Sequence, residues 1–466
     1  MDLERVVTPG SVLVISHDIV GEQMAGPVIR YFHLARVLSE TFDVALAVPH
    51  EVPLFLQDVS FRVLSYSRQD WSALEPLVSG FESVILPGDI ADDFSQHVHS
   101  DAFLVVDGYD PLLEEWLALS QFRALEDPPS YWKRVMQHLT PQYLLGDFFI
   151  CASERQRNWW LGLLEANGRI NPWVFAEDRS LRRLIDVVPY GLPETAPLHT
   201  HQVIKEVWPG IKAQDRVILW GGGLWPWLDP LTAIRAMAEV AQQRPDVRLI
   251  FPGTRHPNPS VAEVPTHNEH ALRLAQELDL LDRVVFFGGW IPYADWPNVL
   301  LESDLALTLH YDTLETQLAF RSRVLDYIWA GLPIVAAKGD ATSDLIAHYG
   351  LGIVVDYEDV SGVAEAILKL LEVPMGNFEE RFERARQALS WEQAAKPLIE
   401  FCRSPRRAPD RVALDGQVGN PFYVEERAYL VQERDAWRDL ARRYEQGRFM
   451  RFMRWVQSAR KRFGFR

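Results

Sequence analysis

Short apolar runs rich in β-branched residues alternate along the chain with stretches whose apolar residues recur at helical spacing. That alternation predicts parallel sheets joined by helical crossovers. The first strand is read at Val12 to Ser16. A loop holding Gly21 and Gly26 then leads to Pro27, suited to a first helical turn, and Ile29, Phe32, Ala35 and Leu38 continue at helical spacing. Further strands are expected at Val44 to Val48, Ser83 to Leu86, Phe103 to Val106 and Phe148 to Cys151, with Ser153 capping the helix after the last. The run Val187, Val188, Pro189, Tyr190, Gly191, Leu192, Pro193 is a strand end passing into a turn, and the hinge between two domains is placed there.

A second series begins at Arg216 to Trp220 and continues at Val247 to Phe251, Val284 to Phe287, Leu305 to Leu309, Ile334 to Ala337 and Ile353 to Val355. The expected fold class is α/β: two Rossmann-like, doubly wound domains facing a cleft, with ligand loops at the carboxyl ends of their strands. The boundaries read as 1–193, 194–385, a returning helix at 386–402 and a linker plus helical tail at 403–466. Ser404 to Pro409 is the linker by composition. In the tail, Tyr423, Leu430, Trp437 and Tyr444 recur every seven residues, a seam for coiled-coil self-association or for packing on the domains.

Composition narrows the classes. The chain has 466 residues, 48% hydrophobic and 24% charged, enough for two domains and something extra. Cys151 and Cys402 are far apart, so neither a disulfide framework nor a zinc site is expected. No signal peptide or bilayer-spanning run is recognised, and a cytoplasmic location is expected. The net charge of -17 argues against nucleic-acid binding. Seven basic residues and no acid lie between Arg448 and Arg466, however, so the rest of the chain carries -17 - 7 = -24. That basic amphipathic end suits an anionic membrane surface, and equally a partner or intramolecular helix.

The candidate chemistry lies in the loops. Gly221, Gly222 and Gly223 follow the first strand of the second series, and Asp229 with Pro230 starts a helix. Glycines let backbone amides approach an anion, although a tight turn explains them too. Trp225 and Trp227 add bulk to the same loop, as ligand contacts or as anchors. Asp107 at a strand end is a candidate catalytic acid, or turn chemistry, as is Asp110 before Pro111. The pairs His97/His99 and His199/His201 have no evident third ligand and are read as solvated rather than metal-binding. Lys338, Gly339 and Asp340 before Ser343 are either an anion contact or a capped helix start.

Arg323 to Val335, RVLDYIWAGLPIV, resembles the donor-site helix and following strand of glycosyltransferase family 4, and VVPYGLP resembles that family's interdomain turn. The loop from Gly21 to Pro27 is placed like its first cleft loop, so the likeness spans most of residues 11–400. The resemblance implies a GT-B fold, a nucleotide-diphosphate sugar donor, retention of configuration, no obligatory metal or other cofactor, and a saccharide or lipid-linked glycan acceptor near Gly26 and Asp107. In that family two acids stand eight positions apart. Asp326 fits the one that contacts the donor ribose, but the other position is Leu318, and Glu315 is the candidate substitute. The family's Arg and Lys after the first strand of the second domain are also missing, which turns attention to Arg321 and Arg323 for the diphosphate. Arg323 and Asp326 are expected to form one donor-binding unit, although a surface ion pair has the same spacing. Two rivals stand beside a transferase: a non-catalytic scaffold acting through its tail, and a nucleotide-sugar epimerase or hydrolase on the same architecture.

Overall fold

The computed structural model describes residues 8–52, 56, 59–121, 127–254, 267–416, 418–420 and, beyond these, 429, 432–434, 436–438 and 440. The first domain holds β1 (Thr8–Ile15), α1 (Gly26–Ser39), β2 (Asp43–Val48), β3 (Arg62–Ser65), β4 (Phe81–Pro87), β5 (Phe103–Asp107), α2 (Leu112–Ser120), α3 (Pro128–Leu139), β6 (Phe148–Cys151) and β7 (Ile185–Val187). The second holds β8 (Arg216–Trp220), α4 (Pro230–Gln243), β9 (Val247–Phe251), β10 (Val285–Phe287), β11 (Leu305–Thr308), α5 (Leu314–Leu318), α6 (Ser322–Ala330), β12 (Ile334–Ala337) and β13 (Gly352–Val355). Further helices fill the crossovers.

All the strand pairings are parallel, in the orders β3-β2-β1-β4-β5-β6-β7 and β10-β9-β8-β11-β12-β13. Helices cover both faces of each sheet, which is why Val12, Leu13, Val14 and Ile15 are all fully buried and read as a continuous apolar run. Each order reverses beside its first strand, between β1 and β4 and between β8 and β11. Such reversal points open a crevice at the carboxyl ends of the strands. The expected caps are present: Ser153 accepts from the Gln156 amide, and Asp229 from the Thr232 amide.

The edge strand β3 is absent from the sequence reading, because it offers only Val63 and Leu64 between polar residues. The hinge is where two chain crossings touch: Leu192 donates to the Leu389 carbonyl and Trp391 donates back to Leu192. A Cβ at Gly191 would stand 2.6 Å from Trp391 Cα, so only glycine allows that approach. The domains meet again where Tyr109 Oη donates to the Phe320 carbonyl (2.9 Å) and His33 Nε2 pairs with Tyr293 Oη (3.0 Å).

After α7 (Lys396–Arg403), whose Phe401 stacks on Phe148 at 4.9 Å, the chain stays on the first domain. Ser404 to Pro409 is therefore a strap, where composition suggested a linker. Its fastening is the fully buried carboxylate of Asp147, which accepts from Arg407 Nη1 (2.8 Å) and from the Ala408 amide (3.2 Å). In α8 (Pro409–Ala413), Asp410 forms a fully buried pair with Arg169 (2.6 Å). Tyr423, Leu430, Tyr444 and the whole basic segment 448–466 lie outside the described residues. Trp437 is described and exposed. Among the described residues, no helix is long and apolar enough to cross a membrane.

Candidate active site

The crevice between the two sheets holds a cavity of about 380 Å³, a size suited to a small-molecule site. Its wall is built from residues that directly follow strand ends. His17 and Asp18 come after β1, Asp89 after β4, Asp110 after β5, Gly221 to Gly223 after β8, and Thr308 closes β11. From the second domain Glu315, Arg321, Ser322, Arg323 and Tyr327 complete it.

Local geometry explains the second-domain wall. Gly222 has φ +99, a left-handed conformation that favours glycine, so the loop can double back after β8. The Gly221 amide donates to Tyr327 Oη at 2.7 Å, which pins the loop to α6. Arg321 stands at the N-cap of α6 and donates from both terminal nitrogens to Glu315 (2.8 and 2.7 Å), and its Nε lies 3.7 Å from Asp340. Asp340 itself caps the helix beginning at Ala341 by accepting from the Ser343 amide, as its spacing in the sequence allowed. Arg323 Nη1 donates to Asp326 Oδ2 (2.8 Å), and its guanidinium lies over the Trp296 ring, 4.7 Å from the centroid. Trp296 Nε1 donates to the same oxygen at 2.9 Å. Trp225 and Trp227 stack at 5.8 Å, both on the cavity wall.

The sequence candidates thus divide. Gly221, Gly222, Gly223, Glu315, Arg321, Arg323 and Gly26 line the cavity. Gly26 faces the start of α6, where a Cβ would stand 2.7 Å from Ser322 Oγ. Asp326 is not on the cavity wall; it sits behind Arg323 and Trp296 and holds both. Gly21 is buried and lies outside the wall. Asp107 is also off the wall. Its fully buried carboxylate is engaged by Arg30 Nε (2.6 Å) and Nη2 (3.1 Å), so the acid facing the cavity on this loop is Asp110. His97 and His99 are exposed, whereas His199 pairs with Glu302 and His201 with Asp295.

His17, Asp18, Asp89 and Glu115 were not picked out as site residues from the sequence. Their signal was position: three of them follow a strand end directly, and Glu115 lies one turn into the helix after β5. Burial pushes the Asp110 carboxyl up to about 7, with Asp107 and Asp89 adding to the rise and His17 opposing it. Burial raises Glu115 well above the usual range too, reinforced by Asp110 and Glu315. Glu114, the buried residue of α2, is pushed up to about 7 mainly by burial. For Arg323, burial works against the charge, but the field of Asp326 and its hydrogen bond outweigh it and raise the pKa.

These shifts have a definite sign for stability. Carboxyls raised from 3.8 and 4.5 to about 7 bind more protons in the folded chain than in the unfolded one. Their contribution is therefore largest near pH 4, falls as pH rises towards 7 and is level above it. Asp110→Asn removes one such group and is expected to melt a few degrees higher than the parent at pH 8, with little difference at pH 4. Thermal melts of both proteins across that range check this; parallel profiles would show that Asp110 titrates normally.

Comparisons with known proteins agree with this geometry. Residues 207–388 match the family model for glycosyl transferases group 1. The chain is similar to a chitobiosyldiphosphodolichol beta-mannosyltransferase of Debaryomyces hansenii, 25% identical over 130 residues, 26% of this chain and 27% of that protein. It is likewise similar to a D-inositol 3-phosphate glycosyltransferase of Nocardioides sp., 26% identical over 208 residues, 42% of this chain and 43% of that protein. The match thus spans less than half the length of either curated relative. Among solved structures, Anabaena HepE in complex with UDP and glucose superposes with a TM-score of 0.60 at 15% identity, covering 84% of this chain and 99% of that one. That likeness shows the fold, GT-B.

Proposed function

We propose that the protein, whose residues 207–388 match the family model for glycosyl transferases group 1 and whose fold is GT-B, transfers a sugar from a nucleoside-diphosphate sugar to a glycan or lipid-linked saccharide, with retention of configuration. The observation that carries this reading is the composition of the cavity's second-domain wall. Inside the matched segment, a glycine loop, a helix N-terminus and two arginines converge on one space. An anion is favoured there by backbone amides, by the helix dipole and by the guanidinium groups. The HepE structure with this fold holds UDP and glucose, a donor fragment of the same class.

In this mechanism Arg323 takes the diphosphate, and Asp326 with Trp296 sets its rotamer. Arg321 is held towards the cavity by Glu315, which replaces the acid absent at Leu318. As the bond from the anomeric carbon to the diphosphate oxygen breaks, negative charge grows on the leaving group. The contacts from Arg323 and Arg321 strengthen at that moment, and this difference lowers the barrier. The acceptor hydroxyl approaches from the first domain, where Asp110 and Glu115 are its hydrogen-bonding partners. With retention, the hydroxyl attacks on the face that the diphosphate leaves, so its proton passes to a diphosphate oxygen and no separate carboxylate base is required.

Leaving-group charge is neutralised here by arginines, and no metal is assigned a role. Nucleoside diphosphates are expected to raise the melting temperature in excess chelator, since a ligand that binds only the folded state stabilises it, and transfer is expected to persist there. Thermal shift across a panel of nucleoside diphosphates, followed by turnover of the matching donor, tests both points. No stabilisation by any of them would overturn the donor site, and turnover abolished by chelator and restored by a divalent ion would overturn the metal-free mechanism.

A further inference from the structure

Arg321 ends a short connection, Ala319 to Arg321, between α5 and α6. The two ends of that connection are held within the second domain: the Ala319 amide donates to the Glu315 carbonyl, and the Arg321 carbonyl accepts from the Val324 amide. Its middle is held from the first domain. Tyr109 Oη donates to the Phe320 carbonyl at 2.9 Å, and both residues are buried on the cavity wall. A backbone tied at three successive residues fixes the direction in which the Arg321 side chain leaves it, and a binding group works only when its supports hold it that closely.

Tyr109 is itself anchored in the first domain. Its carbonyl accepts from Gln156 Nε2 (2.7 Å), and its ring lies against the Arg30 guanidinium, 4.8 Å from the centroid, which Asp107 holds in turn. Next to Gln156, at the start of the helix Glu154–Ala166, Arg155 makes a second crossing between the domains. It donates to the Gly339 carbonyl and pairs with Asp344 at 2.6 Å. Gly339 precedes Asp340, whose carboxylate lies 3.7 Å from Arg321 Nε. Two first-domain side chains thus grip the second-domain backbone directly before Arg321 and directly before its neighbour Asp340. The Arg155 pair is exposed, and such pairs add little stability, so its effect is to fix a position.

We propose that Tyr109 and Arg155 are positioning residues for the donor diphosphate, reaching from the first domain to set the backbone that aims Arg321 into the cavity. This rests on the glycosyltransferase reading, in which Arg321 meets the diphosphate. The anion site is then built by both domains.

Calorimetric titration of the whole protein with inorganic pyrophosphate reads the anion site without assuming a base, a sugar or an acceptor. Tyr109→Phe, which keeps the ring beside Arg30 and removes only the hydroxyl, is expected to weaken pyrophosphate about fivefold, on the scale of one hydrogen bond. Arg155→Ala, a surface change, is expected to weaken it about twofold to threefold while melting like the parent. In an Arg321→Gln/Glu315→Gln background, which removes the buried pair together, both substitutions should have no further effect, because residues that act through one group are not additive with its loss. Pyrophosphate bound as tightly by Tyr109→Phe and Arg155→Ala as by the parent would overturn the proposal and leave the donor site standing, with the two contacts serving only to join the domains. The same losses in the Arg321→Gln/Glu315→Gln background would also overturn it, by making Tyr109 and Arg155 act independently of Arg321. A parent protein that binds no pyrophosphate would overturn the donor site itself and this proposal with it.

Discussion

Replacing Arg323 by alanine is expected to lower kcat about a hundredfold or more, while a nucleoside without phosphates binds almost as before. Loss of one preorganised charge contact to a developing anion costs roughly 3–4 kcal/mol of transition-state stabilisation, whereas the nucleoside offers no phosphate for Arg323 to hold. Asp326→Asn is expected to do less, about tenfold, because asparagine can still accept from Trp296 and Arg323 but no longer supplies the charge that fixes the guanidinium. As Asp326 lies behind Arg323 and both of its hydrogen bonds fall on Oδ2, it acts through Arg323. The double variant should then be no worse than Arg323→Ala, a strong departure from additivity. Donor titrations and steady-state rates for the three variants decide the matter. Near-normal kinetics in all three would make the pair an ordinary ion pair of about 0–1 kcal/mol; additive losses would give Asp326 a ligand contact of its own.

The parts of this site that were legible in the sequence are those whose partners lie nearby in the chain. Arg323 and Asp326 sit three residues apart on one helix, and their pairing follows from helical geometry. Strands buried on both faces, such as Phe148–Cys151 and Ile334–Ala337, write their bounds as unbroken apolar runs. The edge strand Arg62–Ser65 writes almost nothing, because half of it faces water. Partners distant in sequence leave no local trace either. Nothing around Ser404 to Pro409 announces that Asp147 fastens it, so its Pro/Arg-rich composition looked like a linker. The acidic cavity residues Asp18 and Asp89 came into view only when the sheet order placed their strand ends beside that of Asp110.

The same long-range pairing sets apart two aspartates three residues apart, and their substitutions are expected to fail in opposite ways. Asp107 and Arg30 are both fully buried, 77 residues apart in sequence, and joined by two hydrogen bonds. Arg30 also donates from Nη1 to the Pro189 carbonyl (3.1 Å) and lies over the Tyr109 ring at 4.8 Å, so α1, the end of β5 and the hinge are tied together at this guanidinium. Asp107→Ala would leave that cation buried and unpaired, which costs about 3–5 kcal/mol, enough to melt the first domain well before the parent protein. Removing both charges with Arg30→Met and Asp107→Leu together is expected to recover much of that loss, because the desolvation cost of the pair disappears with it. Asp110→Asn keeps the fold, since Asp110 is not part of this pair, but removes a carboxylate from the cavity wall, and it is expected to lower turnover while donor affinity changes little. Melting curves and steady-state kinetics on the single and double variants separate the two roles. An Asp107→Ala protein as stable as the parent but inactive would return Asp107 to the reaction, because a buried arginine left without its carboxylate cannot be without cost unless the carboxylate was never its main partner.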